Sequence, residues 1–297
     1  MLTWGKVNSM WFKKLIETAK EFAAGLTERK IAMYAASSTY NIFMATAPVI
    51  MLMVSLIQFL PIDETYILGQ LDEWMPSQVI SVVRRILDGI YSGGKTALTV
   101  SVILTVFSAS AAMRAIMKGI DSAYNSNMKQ NFIIFYARSI LYMIVFVAVL
   151  LLSLIIIAYG ASIMNLILGL FPHMTRLDEL FETLRYARYL VVAVILYVVF
   201  LLLYRFIPMK KVKLKDQHAG AFFSALAWIL FSFIFSFYVS HSNKFGAYGI
   251  IGTVMVAMMW LYYCIFFVLI GGWLNSFLKM KKRPDKETDE QRNPAGS

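Results

Sequence analysis

Arg114, Lys118 and Asp121 follow one another at fourth- and third-residue spacing, which on a helix aligns a guanidinium, an ammonium and a carboxylate along one side. Such a strip serves as an internal ion-pair row or as a contact for a charged ligand, and Asn125 ends the same segment. The adjacent acids Asp63 and Glu64, and Asp72 and Glu73, are of the type that chelates a hard cation or assists hydrolysis. A solvated loop carries the same charges without function, and that reading is preferred. The stretch SGGKT at 92 to 96 resembles the end of a phosphate loop but lacks the initial glycine at the required spacing. His173, His218 and His241 lie far apart, and Cys264 is the only cysteine. No catalytic residue, metal site or cofactor is therefore expected, and the chain is not expected to be an enzyme.

A second set of polar residues sits inside apolar runs. Ser37, Ser38, Tyr40 and Asn41 precede Pro48 in the first run, Ser108 and Ser110 lie in another, and Trp260, Tyr262 and Asn275 in the last. In hydrocarbon these groups face other helices or a cavity, and each hydrogen-bonds either a neighbouring helix or a substrate headgroup. Pro48 removes an amide and crowds the preceding turn, which favours a kink. The candidates for substrate binding or gating are Ser38, Tyr40, Asn41, Pro48, Ser108, Ser110, Arg114, Asp121, Asn125, Tyr248, Gly249, Trp260 and Asn275. No carboxylate falls within the inferred spans, which weakens a proton-coupled mechanism.

The elements that must position these side chains follow from hydropathy. Of 297 residues, 59% are hydrophobic and the mean hydropathy is +0.66, well beyond a soluble domain. The apolar runs predict an all-α, polytopic membrane helical bundle of six transmembrane helices, near 31–60, 96–117, 139–160, 189–207, 220–240 and 248–277. Residues 61–95 are expected to cap the bundle externally and to include a short amphipathic helix from Ser77 to Ile90. Gly160, Gly169 and Pro172 offer places for the long third run to bend or stop. Residues 1–30 form an amphipathic segment, interfacial or packed on the end of the bundle, with Trp4, Trp11, Leu15 and Phe22 at helical spacing. Residues 31–278 make the membrane domain, and 279–297 a disordered tail.

The net charge of +11 would suit a polyanion, but the basic residues flank the apolar runs, so topology explains them and no nucleic acid is expected. With six spans, twenty-one Lys and Arg residues fall on the inside and seven outside, which places both termini in the cytoplasm. The expected partners are membrane lipids and an amphipathic or lipid-linked substrate. Small-residue helix faces also admit a homo-oligomer.

Three separated motifs carry a resemblance to a known family. AMYAASSTYNIFMATAPVI at 32–50 looks like a small-polar helix ending in a proline-containing run, and FSASAAMRAIMKGIDSAYN at 107–125 like a small-residue segment leading to a basic residue and Tyr-Asn. GAFFSALAW, FSFYV and YGIIGTVMVAMMWLYY, within Pro208 to Asn275, match best. Over roughly Phe22 to Phe277 the chain resembles the YihY/BrkB family of bacterial inner-membrane proteins, sometimes labelled ribonuclease BN. Ala219 stands where that family often has proline, and Trp273 where a glutamate is common. The resemblance implies a multi-pass protein of the bacterial plasma membrane, with about six helices. Its ribonuclease label is not carried over, because the histidine and acid cluster needed for metal-dependent RNA cleavage is missing. The expectation is a transporter or flippase-like protein, with a structural or regulatory envelope protein as the alternative and a membrane-associated nuclease behind both.

Overall fold

In lipid every backbone amide must bond within its own segment, so long apolar runs fold as helices. The computed structural model describes residues 3–57, 77–126, 131–170, 177–241 and 249–281, and these are helical almost throughout. The helices are α1 (Thr3–Glu28), α2 (Ile31–Ile57), α3 (Ser77–Ala123), α4 (Phe132–Leu170), α5 (Leu177–Phe206), α6 (His218–His241) and α7 (Gly249–Lys281), with a 3-10 turn at Leu214–Asp216.

Two helices are longer than the sequence suggests. The 47 residues of α3 span about 70 Å at 1.5 Å each, more than twice a hydrocarbon core of about 30 Å. The expected cap helix from Ser77 to Ile90 is thus the first part of one helix that continues through the second apolar run. Likewise α4 passes through Gly160 without interruption, because glycine lowers helix stability without breaking the backbone hydrogen bonds.

The expectation of six crossings is corrected. Among the described residues four helices are long and apolar enough to cross a membrane: Leu98–Ala123, Phe132–Leu151, His218–Val239 and Ile251–Lys281. The expected first span, α2, is not among these four, and Tyr34, Ser37, Ser38, Thr39, Tyr40 and Asn41 interrupt its apolar sequence. The expected fourth is represented by a shorter apolar stretch, Val192–Phe206. The inside–outside tally that put both termini in the cytoplasm was counted over six spans and loses its basis with them.

The chain divides into two compact units, Met1–Thr39 with Ala115–Lys129 and Ala187–Ser297, and Tyr40–Arg114 with Gln130–Tyr186. The core of the second unit joins Ala45, Leu52 and Met53 of α2 to Ala109 and Ala112 of α3 and to Met143 and Val147 of α4. The alanines let α3 come close to its neighbours. Thr105 Oγ1 donates across to Pro48 O at 2.7 Å, tying α3 to α2 at the proline.

In the first unit α6 and α7 pack along an aromatic seam. Phe231 lies 5.1 Å from Tyr263 and 5.6 Å from Phe267 between ring centroids, and Trp228 meets Trp260 edge-on at 5.8 Å. The opposite faces stay bare: Phe233 and Ile251 are 75% and 70% exposed, as lipid-facing side chains are when no lipid is present. At the α1–α2 junction Lys30 adopts φ 52°, and its amide donates to Thr27 O. The C-terminal part of α1 around Phe22 lies on α7, while Leu15 and Ile16 at its middle are exposed.

Candidate functional site

The densest buried polar cluster lies in the first unit, where α3 ends and the 207–217 loop enters α6. Asn275 of α7, 2% exposed, accepts from Gly220 N at 2.7 Å through Oδ1 and donates to the Tyr124 hydroxyl at 3.1 Å through Nδ2. Tyr124 donates in turn to Gln217 Oε1 at 2.5 Å, and Gln217 Nε2 donates to Lys213 O at 3.1 Å. The Tyr204 hydroxyl donates to Val268 O at 2.6 Å and lies 2.7 Å from Ser224 Oγ.

This cluster forms because α6 and α7 almost touch. A Cβ built on Gly220 would stand 2.1 Å from Gly271 O, and one on Gly271 2.1 Å from Ser224 Oγ. At that separation the short Asn275 side chain reaches a backbone amide on the facing helix. Burial pushes the Tyr124 phenol well above its ordinary pKa, with the bond from Asn275 opposing. The phenol stays neutral and works as a structural donor and acceptor.

A second cluster joins α1 to α7. Trp273 is 3% exposed, donates to Phe22 O at 3.1 Å through Nε1, and carries the Arg29 guanidinium over its ring at 4.4 Å. Gly25 is needed opposite it, since a Cβ there would lie 2.1 Å from Trp273 Cζ2. Arg29 Nη1 donates to Ser122 O, and Ser122 Oγ donates to Arg29 O at 2.8 Å, which closes α1 onto α3. Desolvation lowers the Arg29 guanidinium pKa, and Glu28 partly opposes this.

The sequence-predicted candidates are dispersed between these settings. Asp121 is buried and accepts from Met209 N at 2.8 Å, which anchors the loop after α5. Arg114 instead bonds Ser110 Oγ at 3.1 Å and covers the Tyr136 ring at 4.4 Å, while Lys118 is exposed. The expected Arg114–Lys118–Asp121 strip therefore divides, each charge having its own surroundings. Asn125, with φ 51°, ends α3 in the left-handed conformation that asparagine tolerates, and its amide donates to Ser122 O. Trp260 reaches Ser232 Oγ at 3.4 Å, Tyr262 is half-buried and Gly249 opens α7.

On α2, Ser38 is fully buried and its hydroxyl has no hydrogen-bond partner among the described residues, whereas Tyr40 is 55% exposed and Asn41 and Pro48 are half-buried. Ser108 is half-buried and Ser110 buried. Tyr248 and the acids Asp63, Glu64, Asp72 and Glu73 lie outside the described residues, as does the tail after Lys281. Among the described residues no three His, Cys, Asp or Glu side chains gather as a metal ion would require.

Gln217, Tyr204 and Ser224 were not anticipated. Gln217 reads as loop among lysines, and Tyr204 as one more aromatic in an apolar run. The available signal was the pair Gly220 and Gly271, small residues on successive helices that mark a close approach.

Apolar helices with bare outer faces and polar groups bonded between helices define an integral, helical membrane protein. The model of the virulence factor BrkB family matches residues 22–296, so the chain belongs to that family. It is 30% identical to the ribonuclease-like protein YfkH of Bacillus subtilis (strain 168), covering 90% of this chain and 97% of that one. It is also 27% identical to a UPF0761 membrane protein of Glaesserella parasuis serovar 5, covering 90% of this chain and 93% of that one. A UPF0761 membrane protein of Haemophilus influenzae (strain 86-028NP) is 24% identical, over 85% and 91%. No solved structure matches the chain. Family and helices together support a bacterial membrane location and contact with lipid.

Proposed function

We propose that the chain is a transporter or flippase-like protein of the bacterial inner membrane, acting on an amphipathic or lipid-linked substrate. The observation that carries this reading is Ser38, fully buried in the small, polar half of α2 with a hydroxyl that has no hydrogen-bond partner among the described residues. An unmade buried hydrogen bond costs about 1–3 kcal/mol. A second conformation that brings a substrate's polar group to α2 recovers it, so the cost fits a helix that serves two states. The reading is non-enzymatic and needs neither cofactor nor nucleic acid.

The test is movement of fluorescent phosphatidylglycerol and lipid-linked sugars across proteoliposomes, followed by quenching from outside. The wild type is expected to accelerate exchange, and Ser38→Ala and Arg114→Ala to change its rate. Protein that is folded by thermal melting yet moves nothing across the panel would overturn the proposal.

A structural or regulatory envelope protein is the second reading. It is favoured by the Asn275–Tyr124–Gln217 cluster, whose side chains bond one another and adjacent backbone in a closed arrangement. Recovery of a stable complex, with no transport, would select it. The ribonuclease-like name of the Bacillus protein adds one control: purified chain with magnesium or manganese is expected to leave labelled RNA intact.

A further inference from the structure

Between α5 and α6 runs an apolar groove of about 590 Å³, well within the range of ligand sites at about 300–1,000 Å³. Ala193, Ala219 and Ala225 make the room, and Phe222 and Leu226 form a wall that is itself 63% and 46% exposed. The polar side chains in its lining are Tyr197 and His218, whose hydroxyl and Nδ1 lie 2.5 Å apart with the rings stacked. His218 is the first residue of α6, so this polar edge adjoins the 207–217 loop.

That loop is fixed in place. Met209 N donates to Asp121, Gln217 N donates to Leu214 O, and the Gln217 side chain bonds both Lys213 O and Tyr124. The backbone is held while Lys210, Lys211, Lys213 and Lys215 all project into solvent. The acid among them, Asp216, is engaged by Lys279 at 3.7 Å. One end of an apolar groove therefore adjoins a fixed loop that carries four exposed lysines.

We propose that this groove is a binding site for an anionic phospholipid, one acyl chain lying along Ala193, Ala219 and Phe222 and the phosphate held by the loop lysines. The occupant follows from position and charge. The α6 wall belongs to a span long and apolar enough to lie in the bilayer, where acyl chains are the abundant apolar ligand. Exposed lysines beside it select a negative headgroup over a zwitterionic one. Ser38 is not in its lining and the site goes beyond the transport proposal, so a bound lipid requires no movement of lipid.

The experiment is native mass spectrometry of the full-length protein, released from nanodiscs of equal phosphatidylglycerol and phosphatidylcholine. Retained phosphatidylglycerol is expected to exceed phosphatidylcholine at least about fivefold, as attraction by several surface lysines implies. Ala219 is exposed, so Ala219→Trp fills the groove without entering the core and should abolish retention of either lipid. Ala193→Leu is a milder filling that should lower it. Replacing the four lysines by glutamine should leave lipid bound and remove the preference. Equal retention of both lipids by the wild type would overturn the proposal, as would phosphatidylglycerol retention that both groove-filling variants leave unchanged. Transport assays on the same variants separate this outcome from the fate of the transport reading.

Discussion

A Cβ on Gly220 would stand 2.1 Å from the carbonyl oxygen of Gly271, so the backbones of α6 and α7 approach to near contact where the buried polar cluster begins. Everything else in that cluster depends on this distance. Asn275 is short, and it reaches the Gly220 amide because no side chain stands between the two helices.

Gly220→Ala and Gly271→Ala should each destabilise the protein by about 1–3 kcal/mol, the usual cost of overpacking a close interface. Gly272→Ala is the control. A Cβ there meets the Tyr124 ring at 3.3 Å, a contact a small ring shift relieves, so its effect should be the smallest of the three. Reversible unfolding in detergent measures all three. Equal stability across the series would mean that the helices separate freely at this level.

Asn275→Ala leaves the buried Gly220 amide unpaired and deprives Tyr124 of a donor, an expected loss of about 1–3 kcal/mol. Tyr124→Phe should cost a similar amount, because it takes the donor from the buried Gln217 Oε1 and the acceptor from Asn275 Nδ2. The two residues share one hydrogen bond, so the double variant should be less destabilised than the sum of the singles. Strict additivity in the same unfolding assay would show that the bond carries no energy.

What could be read from the sequence was the class and the chemistry of the helices. Apolar runs with flanking lysines mean membrane helices, and Asn275 and Asp121 are placed by type alone as groups that need partners. Helix ends were harder, since Ser77–Ile90 has the pattern of a separate amphipathic helix and nothing local says that it continues into α3. The number of spans is hard to read for a related reason: polar residues from Tyr34 to Asn41 interrupt the apolar sequence of α2. Gln217 was invisible because its burial comes from the packing of α3 and α7 on a loop that is otherwise lysine-rich.

Burial raises the folded pKa of Tyr124, which fixes the sign of one pH effect. Below the ordinary phenol value of about 10 both folded and unfolded phenols are protonated, and the contribution is fully present. Above it the unfolded phenol ionises first, so stability falls as pH rises toward the folded value. Tyr124→Phe should therefore lose stability less steeply than wild type from about pH 10 upward. Parallel curves would show that the phenol is reached by water.

Trp273 fastens α1 to the rest of its unit. Trp273→Ala removes the bond to Phe22 O, the contact with Gly25 and the face beneath Arg29. Faster trypsin cleavage after Lys20 and Arg29 is the expected result. Gly25→Ala should act in the same direction by pushing the indole away. Unchanged cleavage in both variants would mean that Lys281, through Thr18 and Glu21, holds the helix without them.

Thr105 donates to Pro48 O at 2.7 Å, and both belong to the second unit. Proline removes one amide from the helical ladder of α2 and strains the turn before it, so a hydroxyl from α3 steadies the helix at its weakest point. Hydrogen bonds between membrane helices are worth about 0.6 kcal/mol on average and up to about 1.7 kcal/mol. Thr105→Val keeps the shape and loses the donor, so it should cost an amount in that range in an unfolding assay. Thr105→Ser keeps the donor and loses a methyl group, and it should lie closer to wild type. Were the valine variant as stable as wild type and the serine variant not, the methyl packing of Thr105 would matter and the bond to Pro48 would not.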